Sequence, residues 1–147
     1  MVLLPGLSGA QEGRLPPWAL PPIVAEFRAE YGMERRFALD RTPRSGAAAD
    51  VGSLQGVADA AGLELVSTST LLACPDDGLS EACRLADPRR ILRLGRFQAT
   101  GDQAALDVDL FFAVDGDVLA IQGFRADFAR GDGDEWRLTD LRLMRMH

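Results

Sequence analysis

The sequence predicts an α+β fold, with N-terminal helices packed on a curled, four-stranded antiparallel meander. Residues 89–147 contain three segments in which Asp and Gly stand between runs of β pattern, at 99–103, 114–118 and 130–134. Asp-Gly pairs between alternating apolar residues are a strong signal of a β-hairpin, because the turn needs residues that tolerate positive φ. The preceding half instead carries apolar residues at helical spacing, which completes the α+β pattern.

The first helix is predicted to begin at Pro21 and Pro22 and to end at Gly32. Proline suits the first helical turn, and glycine suits the position after the last one. Residues 11–19 are broken by Pro and Gly, so they are predicted to be a loose lead-in to a single domain over 20–147. The apolar residues of the helix recur three and four positions apart: Ile23, Val24, Phe27 and Tyr31.

Shorter elements are predicted between this helix and the meander. Residues 37–40 alternate as in a short strand, and residues 41–51 have the small residues and Pro of a mobile loop. Ser53 is predicted to cap a second helix that ends at Gly62. Residues 63–66 are predicted to be extended.

A three-residue turn at 115–117 sets the register of the central hairpin, with Val114 facing Val118. One face then carries apolar cross-strand pairs, and the other carries a charged and an apolar pair. The apolar pairs are Phe112 with Ala120, Val108 with Phe124 and Leu106 with Ala126; on the other face Asp107 lies opposite Arg125 and Phe111 opposite Ile121.

The last hairpin is predicted to turn at Asp132, which pairs Phe128 with Trp136 and Ala126 with Leu138. The apolar phase slips by one residue further along this strand. Such a slip in a period of two predicts a β-bulge near residues 139–140, and a bulge curls the sheet. The main core surface is predicted to be Phe112, Phe124, Phe128 and Trp136.

Composition excludes several function classes. The chain has 147 residues, 47% of them hydrophobic, and a net charge of −6 that argues against nucleic acid or an anionic membrane as a partner. All sixteen basic residues are arginine, so Schiff-base and P-loop lysines are excluded. The single histidine is His147 at a chain terminus, which argues against His-based triads and zinc sites. No run is long enough for a membrane span.

The first ten residues and the two cysteines both indicate export. Ser8 and Ala10 fit the −3 and −1 positions of a signal-peptidase site, so residues 1–10 are predicted to be the remnant of a signal peptide. Cys74 and Cys83 bracket a loop rich in Pro, Gly and Asp, which predicts a disulfide in an oxidising compartment. Two free buried thiols are the alternative for the cysteines. The predicted location is periplasmic or secreted, with the cytoplasm as the alternative.

Residues 133–140, Gly-Asp-Glu-Trp-Arg-Leu-Thr-Asp, resemble the Gly-x-Trp-Arg-apolar-x-Asp final strand of the nuclear transport factor 2-like (ketosteroid isomerase-like) superfamily. An aromatic residue followed by alternating apolar positions after a hairpin also occurs in other meanders, cystatin-like folds among them. The layout also resembles small uncharacterised exported proteins of GC-rich bacteria. The first resemblance implies a cone with an Asp base and a Tyr or Asp donor inside it, and the candidates are Asp107, Asp109, Asp127 and Tyr31.

These candidates compete with ordinary structural roles. The alternation places Asp107 and Asp109 on the face opposite Leu106, Val108 and Leu110, which is the face that normally meets solvent. There Arg125 can pair with Asp107 across the ladder. Tyr31 shares its helical stripe with Phe27, as a core residue would. The Asp-rich turns lack the spacing of a calcium-binding EF-hand. No catalytic residue, cofactor or metal site is therefore predicted.

The predicted function is a non-catalytic binding or accessory module for an unknown small ligand or protein. The alternative is a ketosteroid isomerase-like enzyme that uses a pocket carboxylate as its general base. A homodimer is also predicted through the sheet face with Phe111, Leu119 and Ile121, because apolar residues on a sheet face need a cover. The cysteine loop or the lead-in is the alternative cover.

Overall fold

The computed structural model describes residues 15–32, 36–44, 51–75 and 83–146, with the backbone alone at 51–53. The predicted signal remnant, most of the predicted mobile loop and His147 lie outside these residues. The described part has three helices and one mixed sheet of eight strands. The helices are α1 (Leu20–Tyr31), α2 (Val51–Ala61) and α3 (Thr68–Leu71); the strands are β1 (Phe37–Asp40), β2 (Glu64–Val66), β3 (Leu72–Ala73), β4 (Arg84–Leu85), β5 (Arg90–Thr100), β6 (Gln103–Val114), β7 (Val118–Arg130) and β8 (Trp136–Met146).

The α+β class is confirmed, but the sheet is larger than the predicted four-stranded meander. β5 to β8 form that meander, and β1 joins its edge by pairing in parallel with β5 and β2. The short β4 pairs with β7 at Val118, and β3 pairs with β4. Residues 37–40 form the predicted strand, and residues 64–66 of the segment predicted to be extended form β2. Their parallel partners are distant in sequence, and no local turn signal marks such a pairing.

The central hairpin has the predicted register throughout. Val114 pairs with Val118, and every cross-strand pair predicted between β6 and β7 is present. Gly116 and Asp117 have φ of 73° and 65° at the turn, the region in which Asp and Gly are favoured. The turn chemistry thus fixed which residues of these two strands share a face.

The register of the last hairpin was predicted wrongly between its turn and its bulge, whereas the bulge itself was predicted correctly. Arg130, not Phe128, pairs with Trp136, because the turn spans residues 131–135 and is centred one residue later than predicted. The bulge lies at Thr139, whose neighbours pair with Phe128 and Asp127. A second bulge lies at Met144, and β5 has a third opposite Asp107. These bulges bend the edge of the sheet.

One face of the meander packs against α1 and α2. The two helices end at Gly32 and Gly62, with φ of 110° and 68°, as predicted. α2 begins at Val51, so Ser53 lies inside the helix and does not cap it. The buried aromatic and aliphatic side chains of this face include Phe27, Phe97, Phe128, Leu94 and Leu106, with Phe112, Phe124 and Trp136 partly buried beside them.

The described part of the predicted lead-in is packed and not loose. Leu15 and Ala19 are buried, and the indole of Trp18 stacks on Trp136 with ring centres 4.8 Å apart. Because Trp136 opens β8, this stack holds the chain before α1 against the last hairpin. An aromatic pair of this kind contributes about 0.5–1.5 kcal/mol beyond its buried area.

The other face of the sheet is covered by the chain itself. Phe111 and Leu119 are buried in a second cluster with Leu85 and Cys83, and Ile121 is partly buried beside them. The homodimer predicted through Phe111, Leu119 and Ile121 is therefore not supported, because the segment that carries the cysteines supplies the cover. Cys74 and Cys83 have their sulfur atoms 2.03 Å apart, which is the predicted disulfide. Among the described residues, no helix combines the length and apolar character needed to cross a membrane.

Candidate functional site

A buried carboxylate surrounded by arginines lies on the second face of the sheet. Asp109 on β6 is 1% exposed and accepts hydrogen bonds from three guanidinium groups. Arg93 Nη2 lies 2.8 Å from Asp109 Oδ2, while Arg145 Nη2 and Arg44 Nη1 lie 3.2 and 3.4 Å from Oδ1. Arg44 Nη2 also lies 3.4 Å from Oδ2 of Asp107. We call these five residues the arginine–carboxylate cluster.

The strand register explains how the cluster forms. Arg93, Asp109, Gly123 and Arg145 are consecutive cross-strand partners on β5, β6, β7 and β8. Paired residues share a face, so these positions form one row across four strands. Gly123 has no side chain, and Arg145 crosses above it to reach Asp109. A Cβ at Gly123 would lie 2.8 Å from Arg145 Nε and 3.3 Å from Asp109 Oδ1.

A second glycine makes room for Arg44, which comes from the segment after β1. The Arg44 N–H donates to the Leu94 carbonyl at 2.8 Å, which holds this segment against β5. The Arg44 guanidinium then passes over Gly95, where a Cβ would lie 2.6 Å from Nη2 and 3.0 Å from Cβ of Asp107. Glycines on both sides of the buried carboxylate therefore give the arginines access to it.

The structure separates the residues that the sequence proposed as catalytic. Asp109 is buried under arginines, whereas the alternation predicted a face that meets solvent. Asp107 and Arg125 lie opposite each other as predicted, but Asp107 contacts Arg44 and Arg125 contacts Asp127 at 3.2 Å, so two other ion pairs replace the expected one. Tyr31 packs against the helix-covered face, where its hydroxyl donates to Gln122 Oε1 at 3.1 Å.

This arrangement does not bring a base and a donor together. Asp109 lies on the face of Phe111, and Tyr31 lies on the face of Leu110, so the sheet stands between them. Both oxygens of Asp109 already accept guanidinium hydrogen bonds, and the Tyr31 ring lies under the guanidinium of Arg90 at 4.2 Å. The predicted base and the predicted donor thus have structural partners on opposite faces of one sheet.

A groove of about 360 Å³ opens beside the cluster. Arg44, Arg93 and Asp40 are its charged lining residues, and Leu72 and Pro43 contribute apolar surface above the buried Phe111. Thr68, which begins α3, also lines the groove. Its side chain is 3% exposed and its hydroxyl has no hydrogen-bond partner among the described residues. A buried hydroxyl without a partner costs about 1–3 kcal/mol, so this one stands out against the usual pairing of buried polar groups.

Sequence reasoning missed Arg44, Arg93 and Thr68. Arg93 shares a face with Asp109, and a register for β5 would have shown this. Arg44 stands in the predicted loop, and Thr68 follows a strand in a segment without a clear pattern. No local signal identifies either of them. Among the described residues, no group of three or more His, Cys, Asp or Glu side chains is arranged to hold a metal ion.

One ion pair outside the groove has displaced pKa values. The side-chain hydrogen bond from Arg89 holds the pKa of Asp87 below its ordinary value of 3.8, and the same bond raises the pKa of Arg89. Arg89 also contacts Glu64 at 3.2 Å. The contact between Arg89 and Glu64 connects the residue before β5 with the first residue of β2, at the parallel edge of the sheet.

Comparison with known proteins gave no match, whether to a family model, a curated protein or a solved structure. The resemblance to nuclear transport factor 2-like and cystatin-like proteins therefore stays a prediction from the sequence. The groove and the cluster are interpreted from their own geometry.

Proposed function

We propose that this chain is a small, non-catalytic binding domain that acts in the periplasm or outside the cell and takes a small molecule into the groove beside the arginine–carboxylate cluster. The observation that carries this proposal is the buried Thr68, whose hydroxyl has no hydrogen-bond partner among the described residues, in the lining of a groove that also contains Arg44, Arg93 and Asp40. Ligand pockets have volumes of about 300–1,000 Å³ and a few polar groups among apolar ones. The groove lies at the small end of that range of volumes, and it is more polar than such pockets, because six of its nine lining residues are polar or charged.

A binding role agrees with the state of the acidic groups. A general base must reach the proton that it removes, with its oxygens available to receive it. Asp109 is held by Arg93, Arg44 and Arg145, and this favours a rigid framework for the groove over a ketosteroid isomerase-like base. Preorganised side chains raise affinity because less freedom is lost on binding.

The disulfide supports the extracytoplasmic location. Disulfides form and persist in the periplasm and outside cells, and they are rare in the cytosol. The Cys74–Cys83 bond lies beside the groove, since Leu72 lines the groove and β3 ends at Ala73. The bond thus limits the motion of one wall of the proposed site.

Thr68→Val tests the proposal, with Thr100→Val as the matched control. Thr100 is exposed at the end of β5, and the same change there leaves the groove untouched. We expect Thr68→Val to be at least as stable as the wild type, because it removes an unpaired buried hydroxyl. In a small-molecule library screened by ligand-observed NMR, compounds that bind the wild type and Thr100→Val should lose affinity for Thr68→Val. A library without binders, or binders that are indifferent to Thr68, would contradict the proposal.

A further inference from the structure

We infer that the ligand of the groove is a small organic carboxylate with an apolar group, bound with its carboxylate toward Arg44 and Arg93. This inference rests on the proposed binding function and adds the chemical class of the ligand. Three features of the groove carry it: the donors of the two guanidinium groups, the hydroxyl of Thr68, and the aliphatic surface of Leu72 and Pro43.

The two arginines keep donors for a ligand although both contact Asp109. A guanidinium has five N–H groups. The bonds from Arg93 to Asp109 use Nε and Nη2, both directed at Oδ2. The two bonds of Arg44 are 3.4 Å long, at the weak end of hydrogen bonding. A carboxylate in the groove can therefore receive N–H groups without breaking the strong Arg93–Asp109 pair.

The charged groups around the groove balance, so the preference for an anion rests on the guanidinium donors that line it. Arg44, Arg93 and Arg145 carry three positive charges, against two negative charges on Asp107 and Asp109. Asp40 also lines the groove, but its Oδ1 accepts the backbone N–H of Thr42 at 3.1 Å and so forms part of the turn after β1. With Asp40 included, the three arginines face three carboxylates, so guanidinium hydrogen bonds and not a net positive charge would hold a ligand anion. Guanidinium groups suit a carboxylate because their planar N–H groups match its two oxygens.

The remaining surface fits an apolar group. The Arg93 guanidinium lies over the ring of Phe111, 4.7 Å from its centre, so the charged and apolar surfaces adjoin. Phe111 is itself buried, and Leu72 and Pro43 add aliphatic surface to the groove. The Thr68 hydroxyl can donate to a carboxylate oxygen, which would satisfy it. An anion without an apolar group would leave most of this surface uncovered.

The test compares three carboxylates with their own amides by isothermal titration: benzoate, phenylacetate and hexanoate against benzamide, phenylacetamide and hexanamide. None of these probes carries an ammonium group, which avoids attraction to Asp40. Inorganic phosphate is the anion without an apolar group. We expect at least one carboxylate to bind about tenfold or more tightly than its amide and than phosphate, since hydrogen bonds between ionised groups are roughly twice as strong as those between neutral ones. Raising the salt concentration should weaken the carboxylate more than the amide.

Two variants locate the preference. Arg44→Gln should reduce the carboxylate's affinity about tenfold while affecting its amide little. Arg142→Gln is the matched control, because Arg142 is exposed and pairs with Asp127 and Asp140 away from the groove. Thr68→Val gives a second test should Arg44→Gln unfold, and it should also weaken carboxylate binding.

The outcomes separate the two proposals. A carboxylate and an amide that bind equally well would overturn the carboxylate inference and leave a small-molecule groove. Phosphate that binds as tightly as the best carboxylate would overturn the role of the apolar surface, and so the inference. Loss of affinity in Arg142→Gln equal to that in Arg44→Gln would overturn the assignment to the groove. No binding of any carboxylate or amide would contradict the proposed function and this inference together.

Discussion

Replacing Asp109 with Asn removes one negative charge from a point where three guanidinium groups converge. The side chain keeps its size, so the change tests charge and not packing. Asp109 is buried, whereas the side chains of Arg93, Arg44 and Arg145 are 22%, 27% and 48% exposed. Breaking a buried ion pair by removal of one partner costs about 3–5 kcal/mol. Because water reaches the three arginines, we expect the low end of this range, about 3 kcal/mol.

Urea unfolding followed by tryptophan fluorescence measures this cost. Asp107→Asn is the matched control, since Asp107 lies two residues away on the same face and its side chain is 36% exposed. Removal of such an exposed charge should cost about 0–1 kcal/mol. Salt should partly restore the stability of Asp109→Asn by screening the repulsion between arginines. A cost below 1 kcal/mol for Asp109→Asn, or equal costs for the two variants, would refute the buried cluster.

Three further perturbations test other parts of the structure. Gly95→Ala should destabilise the protein and weaken ligand binding, because its Cβ would lie 2.6 Å from Arg44 Nη2. The control Gly56→Ala, at a helical position with open space around it, should stabilise the protein by about 0.5–1 kcal/mol. Equal effects of the two variants in urea unfolding would contradict the path of Arg44. Mass spectrometry of alkylated protein from its native compartment should find no free thiol at Cys74 or Cys83. The double variant Cys74→Ser, Cys83→Ser should lose about 2 kcal/mol of its free energy of unfolding. Two alkylated cysteines would contradict the disulfide and the export that it supports. Because the pKa of Asp87 is lowered in the folded protein, this carboxylate stabilises the fold above its ordinary pKa of 3.8, and the contribution is lost as the pH falls below that value. The free energy of unfolding of Asp87→Asn should therefore depend less on pH below about 4 than that of the wild type. An unchanged pH dependence would show that the Asp87–Arg89 pair does not stabilise the native state.

The hairpins could be predicted from sequence because their information is local. Asp-Gly turns and a period of two fix the pairing of β6 with β7, and the structure has that register. The turn before Trp136 spans five residues, 131–135, with several Asp and Gly positions that could each be its centre. The register there was wrong by two residues for this reason. The bulge at Thr139 was still recognised, because the phase of the apolar residues records it directly.

The candidate site could not be predicted because its parts come together through distant contacts. Alternation showed that Asp109 shares a face with Phe111, but not that the cysteine segment and Arg44 cover that face. Arg44 reaches the cluster through its backbone bond to Leu94, fifty residues along the chain, and over a glycine. Periodicity assigns side chains to faces, while the cover of a face depends on tertiary packing.

The most direct test of a ligand groove is to locate binding by NMR. In the protein labelled with ¹⁵N, the Nε–Hε signals of Arg93 and Arg44 and the backbone amide of Thr68 should shift on addition of the tightest carboxylate from the titrations. The Nε–Hε signal of Arg142, on the far side of Asp127, should stay unchanged. The shifts should saturate with a single dissociation constant, and they should need a higher ligand concentration in Thr68→Val. Shifts that are confined to other surfaces, or that include Arg142 as strongly as Arg93, would contradict the assignment of the groove as the binding site.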